Sequence, residues 1–113
     1  MTKETLQLYE GAFIIKASLS EDARTKAFER VKALVEDMDG EILKIHEWGR
    51  RRLAYRIDDQ REGYYYIVFF TANPGKMQGI SAELRLNEDL LRYVVYASKK
   101  VQEKIEFKPL VLQ

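Results

Sequence analysis

The sequence has no cysteine and a single histidine among its 113 residues, and these gaps exclude most catalytic chemistry. Without cysteine there is no disulfide framework, no thiolate metal ligand and no thiol nucleophile. His46 has no Ser-His-Asp or Cys-His pattern around it. The acidic residues around Gly40 lack the ligand spacing of a calcium loop, and no glycine-rich phosphate loop is present. We therefore expect no catalytic residue, no metal, no cofactor and no small-molecule substrate.

The sequence also lacks a large excess of one charge and a long hydrophobic run. Its 19 Lys and Arg residues nearly balance 18 Asp and Glu residues, so nucleic-acid binding depends on where the charges lie. No apolar run approaches the roughly 20 residues that cross a membrane. The polar start MTKETLQLYE lacks the apolar region of a secretory signal. These absences predict a soluble, cytoplasmic protein without membrane association.

The apolar pattern predicts two helices and four strands. The first helix is expected to begin after an N-cap at Ser20 and to end at Gly40, which suits the left-handed conformation. The segments typical of strands are residues 9–17, 41–57, 63–72 and 91–97, with a second helix at residues 75–86. Residues 63–72 are apolar at both parities, as in a central strand. Uneven apolar spacing and Gly49 predict a bulge or bend in the second strand.

The resulting order, β-α-β-β-α-β, is that of the ferredoxin-like α+β fold. This fold is a four-stranded antiparallel sheet, here expected in the order 4-1-3-2, with both helices on one face. The domain is expected to occupy residues 1–97, with the other face of its sheet uncovered. Residues 98–113 have no clear period and are predicted to form an extended C-terminal arm.

The segment HEWGRRRLAYRI, residues 46–57, concentrates arginine in the predicted second strand. Alternate residues of a strand point to opposite faces. Leu53, Tyr55 and Ile57 are therefore expected to pack under the helices, with Arg51 either at the rim of that face or emerging through the bend at Gly49. The opposite parity predicts an outward basic stripe of Arg50, Arg52 and Arg56.

The same parity argument predicts what the uncovered face presents. The third strand is expected to contribute Tyr64, Tyr66 and Val68, and the fourth strand Arg92, Val94 and Tyr96. A contiguous apolar face is typical of a partner site, and arginine forks match phosphate oxygens. The predicted partner-binding residues are Trp48, Tyr64, Tyr66, Val94 and Tyr96. The alternative is that the arginines only guard the edge strands against aggregation.

Four segments carry a resemblance to a known family. They are YEGAFII, EWGRRRLAYRI, GYYYIVFF and AELRLNEDLLRYVVY, and together they span most of residues 9–97. In this order and spacing they resemble bacterial small-subunit ribosomal protein six. The resemblance implies a structural, ribosome-associated protein that binds the central domain of small-subunit ribosomal RNA. It also implies a heterodimer with small-subunit ribosomal protein eighteen.

The resemblance assigns RNA binding to particular residues. Arg51 and Arg52 match the arginine pair before L-A-Y, and Arg85 and Arg92 match basic positions flanking the fourth strand. Arg50 and Arg56 are added from strand geometry alone. The turn Asn87-Glu88-Asp89 departs from the family in being less basic, and the tail FKPLVLQ, which the resemblance does not place, lacks the acidic C-terminal run that some members carry.

Two other functions stay open at this point. One is an RNA-recognition-like module outside the ribosome that binds single strands by tyrosine stacking. The third segment, GYYYIVFF, lacks the basic start and internal glycine of that module. The other is a small ferredoxin-like enzyme or ligand-binding regulator.

Overall fold

The computed structural model describes residues 6–101, so most of the predicted C-terminal arm lies outside the described residues. The strands are β1 (Gln7–Lys16), β2 (Ile42–Ile57), β3 (Gln60–Ala72) and β4 (Leu90–Ala97). The helices are α1 (Glu21–Asp37), α2 (Pro74–Met77) and α3 (Ile80–Arg85). Apart from the division of the second helix into α2 and α3, this is the predicted element order.

The strands form one antiparallel sheet in the order β2-β3-β1-β4, and the ferredoxin-like topology is confirmed. The helices cover one face, where the main core includes Phe13 from β1, Val31 from α1 and Phe70 from β3. Strand β3 is buried on both faces of the sheet, as its apolar residues at both parities predict.

Helix α1 begins at the predicted cap. The Ser20 hydroxyl accepts a hydrogen bond from the backbone N–H of Ala23 at 3.2 Å, which satisfies one of the unpaired donors of the first turn. Its end differs from the prediction, because the left-handed residue is Asp39 (φ 60°) and not Gly40. Gly40 has a different constraint: a Cβ there would overlap the backbone oxygen of Thr71.

The predicted second helix is interrupted near Gly79, a residue that weakens helices. Its first part is capped by Asn73, whose side-chain oxygen accepts a hydrogen bond from the Gly75 N–H at 2.9 Å. After α3, the buried Asn87 side chain donates to the backbone oxygen of Ala27 at 3.1 Å. This bond ties the turn before β4 to α1.

The second face of the sheet is covered in part, which corrects the prediction of a wholly open face; Arg92 and Tyr96 of β4 stay exposed on it, as predicted. One buried cluster there consists of Ile14, Leu53, Ile57, Tyr65 and Leu91. A second cluster consists of Ala12, Ile67 and Phe69, with Trp48 and Val101 packed against it. Because Leu53 and Ile57 belong to the β2–β3 hairpin, this hairpin folds back over the sheet.

Strand β2 pairs irregularly with β3, and this reverses part of the predicted parity. The register shifts between Ile42 and Lys44 and again between Glu47 and Gly49, whose φ is 79°. Such bulges place an extra residue in one strand and turn the following side chains to the other face. Leu53 and Ile57 therefore lie on the second face, and the prediction that they pack under the helices was wrong.

Two absences hold for residues 6–101. No helix in this range is long and apolar enough to cross a membrane. No three histidine, aspartate or glutamate side chains within it are grouped as a metal site requires.

Candidate nucleic-acid interface

The β2–β3 hairpin presents a group of exposed arginines, namely Arg50, Arg51, Arg52, Arg56 and Arg61. Asp58 and Asp59 close the hairpin with φ values of 47° and 63°, a left-handed pair typical of a type I′ turn. Leu53 and Ile57 attach the hairpin to the second face of the sheet. The arginines are therefore carried on an anchored arm.

The arginines of β2 face differently from the prediction. Arg50 lies opposite Tyr64, whose ring packs against the helix-side core, and Arg51 lies opposite Gly63. Arg50 and Arg52 do share a face, but it is the helix side of the sheet. The prediction that they line the other face was wrong, because the bulge at Gly49 reverses the parity after it.

Two of these arginines are held by bonds within the protein. Arg50 donates to the backbone oxygen of Ala17 at 2.8 Å, and its other terminal nitrogen lies 3.5 Å from a carboxylate oxygen of Glu62. Arg56 lies 3.9 Å from the carboxylate of Asp59. These exposed ion pairs contribute little stability, but they compete with phosphate for both guanidinium groups.

Arg51 is also held within the protein, and Arg52 is not. Arg51 donates from Nε to the backbone oxygen of Trp48 at 3.2 Å. The exposed Arg52 has neither an ion pair nor a side-chain hydrogen bond with any residue of the range 6–101. Arg52, like the exposed Arg61, therefore has little internal competition for an anion.

Arg85 and Arg92 lie close to the tip of the same hairpin. A surface groove of about 680 Å³ is lined by both of them and by Lys16, together with Asp58 from the hairpin turn and Glu88. The two arginine groups were expected on opposite edges of the sheet. The tip of the hairpin comes beside Arg85 and Arg92 because the hairpin folds back, although the carboxylates of Asp58 and Glu88 keep the groove from being uniformly basic.

Two predicted partner-binding residues belong to the helix-side core. Tyr66 is 5% exposed and stacks on Phe28 with ring centroids 4.0 Å apart. The Arg24 guanidinium lies 3.9 Å from the centroid of the Tyr64 ring, and the Tyr64 hydroxyl is 3.2 Å from a carboxylate oxygen of Glu47. The prediction that Tyr64, Tyr66 and Val68 face outward was therefore wrong, because both parities of β3 are apolar and the pattern did not distinguish them.

The predicted partner-binding residues of β4 are accessible. Tyr96 is 52% exposed, and its hydroxyl lies 3.3 Å from a carboxylate oxygen of Glu10. Burial of the hydroxyl raises the pKa of Tyr96, and the Glu10 carboxylate raises it further. Val94 is half-buried. Trp48, the predicted partner-binding residue of β2, is also half-buried and packs against the second face of the sheet.

The sequence argument missed the exposure of Tyr55. Tyr55 was assigned to the core, yet it is 40% exposed and lines a groove along β4 with Arg92 and Val94. The bulge at Gly49 does not signal this exposure, because Leu53 and Ile57 have the same parity as Tyr55 and are buried.

Comparison of the fold places the chain in the class of ferredoxin-like α+β domains. The C-terminal domain of the MgtC protein from Mycobacterium tuberculosis has a TM-score of 0.57 at 18% identity, covering 92% of this chain and 100% of that domain. The 30S ribosomal protein S6 from Thermotoga maritima has a TM-score of 0.76 at 28% identity, covering 83% of this chain and 89% of that protein. The first likeness shows the fold alone.

Sequence comparison defines the family. Residues 8–97 match the family model described as ribosomal protein S6. The small ribosomal subunit protein bS6 of Protochlamydia amoebophila is 50% identical over 110 residues, which are 97% of this chain and 96% of that protein. The corresponding protein of Chlamydia abortus is 49% identical over 107 residues, 95% of this chain and 96% of its own length. The chain belongs to the ribosomal protein S6 family.

Family membership establishes the general role of the chain. It is a structural protein of the small ribosomal subunit, associated with ribosomal RNA and taking part in translation. Members of this family are not enzymes, so the interpretation as an enzyme or ligand-binding regulator is excluded.

Proposed function

We propose that the chain, in the cytoplasm, binds the central domain of small-subunit ribosomal RNA as a heterodimer with small-subunit ribosomal protein eighteen. The observation that carries this proposal is the meeting of the hairpin arm with Arg85 and Arg92 at one end of the molecule. Guanidinium groups from separate strands can then contact neighbouring phosphates of one RNA segment.

The charge balance explains why the heterodimer, and not the chain alone, is the effective RNA binder. Phosphate neutralisation supplies much of the affinity of proteins for nucleic acids. The chain has a net charge of +1, and the groove beside Arg92 also contains the carboxylates of Asp58 and Glu88. A partner that adds positive charge would compensate for the low net charge of the chain and for the two carboxylates in the groove.

The partner contact is assigned to the accessible surface of β4. Tyr55, Val94 and Tyr96 provide apolar and aromatic surface there, which a protein partner would bury. Tyr66 is excluded from this surface because it lies in the core.

Single-strand binding by base stacking is not favoured. Stacking needs aromatic rings exposed on the sheet, as in RNA-recognition modules. In β3, Tyr66 faces the helix-side core, while Tyr65 and Phe69 on the second face are both almost completely buried. The sheet therefore presents no aromatic platform from β3 among the described residues.

A salt series tests the RNA contacts. Binding of the heterodimer to central-domain RNA should weaken in Arg52→Ala and Arg92→Ala, and the slope of log affinity against log salt should fall by about 0.7–0.9 per lost contact. Lys26→Ala is the matched control, because it removes one exposed positive charge from α1, away from the hairpin. Slopes in both arginine variants equal to that of Lys26→Ala would contradict the proposed RNA contacts.

A mixing experiment tests the partner. The chain should bind the RNA weakly alone and tightly with protein eighteen, with the complex detected by gel shift. Tyr96→Asp should weaken heterodimer formation without unfolding the chain, since Tyr96 is exposed. Equal RNA affinity with and without protein eighteen would contradict the proposal.

A further inference from the structure

Strand β4 has one edge that no described strand pairs with. In the sheet order β2-β3-β1-β4, it bonds only to β1 among the strands of residues 6–101. The Ser98 N–H donates to the backbone oxygen of Leu8 at 2.9 Å, which sets the alternation of inward and outward groups along β4. By this alternation, the N–H and C=O groups of Tyr93, Val95 and Ala97 point to the outer edge.

Apolar side chains flank this edge on both sides. A groove of about 660 Å³ runs along it, with Met77 and Ile80 on the helix side and Tyr55 on the other. Edge strands are commonly protected by lysine or proline, but the stretch Tyr93–Tyr96 contains neither. Outward backbone groups with apolar flanks form a template for an added strand.

The sequence of this edge is complementary to itself. In an antiparallel pair centred on Val94, Tyr93 lies opposite Val95 of the second copy, and Val94 lies opposite its own equivalent. Arg92 then lies opposite Tyr96 of the second copy, which is favourable for a cation above an aromatic ring. The outward groups of Tyr93 and Val95 hydrogen-bond in both directions, because a two-fold axis repeats every contact.

Another register is disfavoured by charge. A pair centred on Val95 would also bring the outward backbone N–H and C=O groups of the two copies opposite one another. It would, however, place Arg92 opposite Ser98 of the second copy, next to Lys99 and Lys100. Like charges across a strand pair are destabilising, so the centre at Val94 is favoured.

We propose that the free protein forms a two-fold dimer in which β4 of one copy pairs with β4 of a second copy through a centre at Val94. The two sheets become one continuous sheet, and the exposed edge is covered before the chain is assembled with its other partners. A contact of one short strand is small, so the dimer is weak and reversible.

Cross-linking tests this arrangement in a chain that has no cysteine of its own. In the proposed dimer the two copies of residue 94 form a non-hydrogen-bonded pair with Cα atoms about 4.5 Å apart, within disulfide range. In Val94→Cys, oxidised glutathione accepts two electrons, the thiols lose their protons, and one intermolecular disulfide forms. Leu43→Cys is the matched control, since Leu43 is also accessible but lies on β2, the opposite edge strand.

The Val94→Cys variant should form its intermolecular disulfide at least about tenfold faster than the Leu43→Cys variant at equal concentration. The reason is that strand pairing raises the effective concentration of the two thiols. Equal rates would overturn the proposal. Capture of protein eighteen by Val94→Cys without self-cross-linking would also overturn it, and would leave the proposed heterodimer standing.

A charge-pair experiment gives an independent measurement without oxidation. Sedimentation of the natural chain should shift towards a dimer between about 10 and 500 µM, the range of a weak interface. Val94→Lys and Val94→Glu should each remain monomeric, and a mixture of the two should dimerise again. A natural chain that stays monomeric, or a mixture that does not associate, would overturn the proposal, with circular dichroism confirming that both variants fold.

Discussion

Truncation of Leu53 tests whether apolar contacts anchor the arginine hairpin. Leu53 is 8% exposed and packs with Ile14, Tyr65 and Leu91 on the second face of the sheet. Replacing a buried leucine by alanine costs about 2–5 kcal/mol, depending on how far the site relaxes. Because this cluster is small and close to the surface, we expect Leu53→Ala to lower the free energy of unfolding by about 2–3 kcal/mol.

Urea unfolding measures this loss. With a slope of about 1–3 kcal/mol per molar urea, the midpoint should fall by roughly 1–2 M. Tyr55→Ala is the matched control on the same hairpin, and its exposed side chain should cost less than about 1 kcal/mol. The RNA affinity of the heterodimer should also fall in Leu53→Ala, since a released hairpin no longer holds its tip beside Arg92.

The refuting result is specific. A loss below about 1 kcal/mol in Leu53→Ala, equal to that of Tyr55→Ala, would show that the hairpin is not anchored through this cluster. The placement of the hairpin tip beside Arg85 and Arg92 would then lose its structural basis.

Three further predictions concern other parts of the fold. Gly40→Ala should destabilise the chain by more than about 2 kcal/mol in urea unfolding, because its Cβ would overlap a backbone oxygen of Thr71 that cannot easily move. Asn87→Ala should cost about 1–3 kcal/mol, since it leaves the buried backbone oxygen of Ala27 without this donor; equal stability would argue that water replaces the bond. Burial and a neighbouring carboxylate raise the pKa of Tyr96 above its usual 10.0, so the folded state holds the phenolic proton more tightly than the unfolded chain. Stability should therefore fall as the pH rises above about 10, and fall less steeply in Tyr96→Phe, when unfolding is measured at several pH values.

Features with a local cause were predictable from the sequence. The cap at Ser20 and the apolar stripe of α1 depend on residues within a few turns of each other, and both are confirmed. The same holds for β3, whose continuous apolar run indicated burial on both faces. The family resemblance, carried by short motifs in a fixed order, is confirmed by the match over residues 8–97.

Features that depend on pairing between strands were predicted less well. A bulge near Gly49 was expected. Which face of the sheet the following side chains point to, however, depends on the register with β3, in which Glu47 pairs with Tyr66 and Gly49 with Tyr65. One extra residue exchanges the two faces, so Leu53 was assigned to the wrong side. The outward parity of β3 was equally undetermined, since both of its faces are apolar.

The amino-acid sequence alone determined the order of the elements, the ferredoxin-like class and the family, because periodicity, caps and motifs are read along the chain. Only the tertiary structure decided that the β2–β3 hairpin folds back, that the second face of the sheet is partly covered, and that Arg85 and Arg92 lie beside the hairpin tip. The physical reason is that these features arise from contacts between segments far apart in sequence, such as Leu53 with Leu91, whose free energy depends on register and shape and not on local composition.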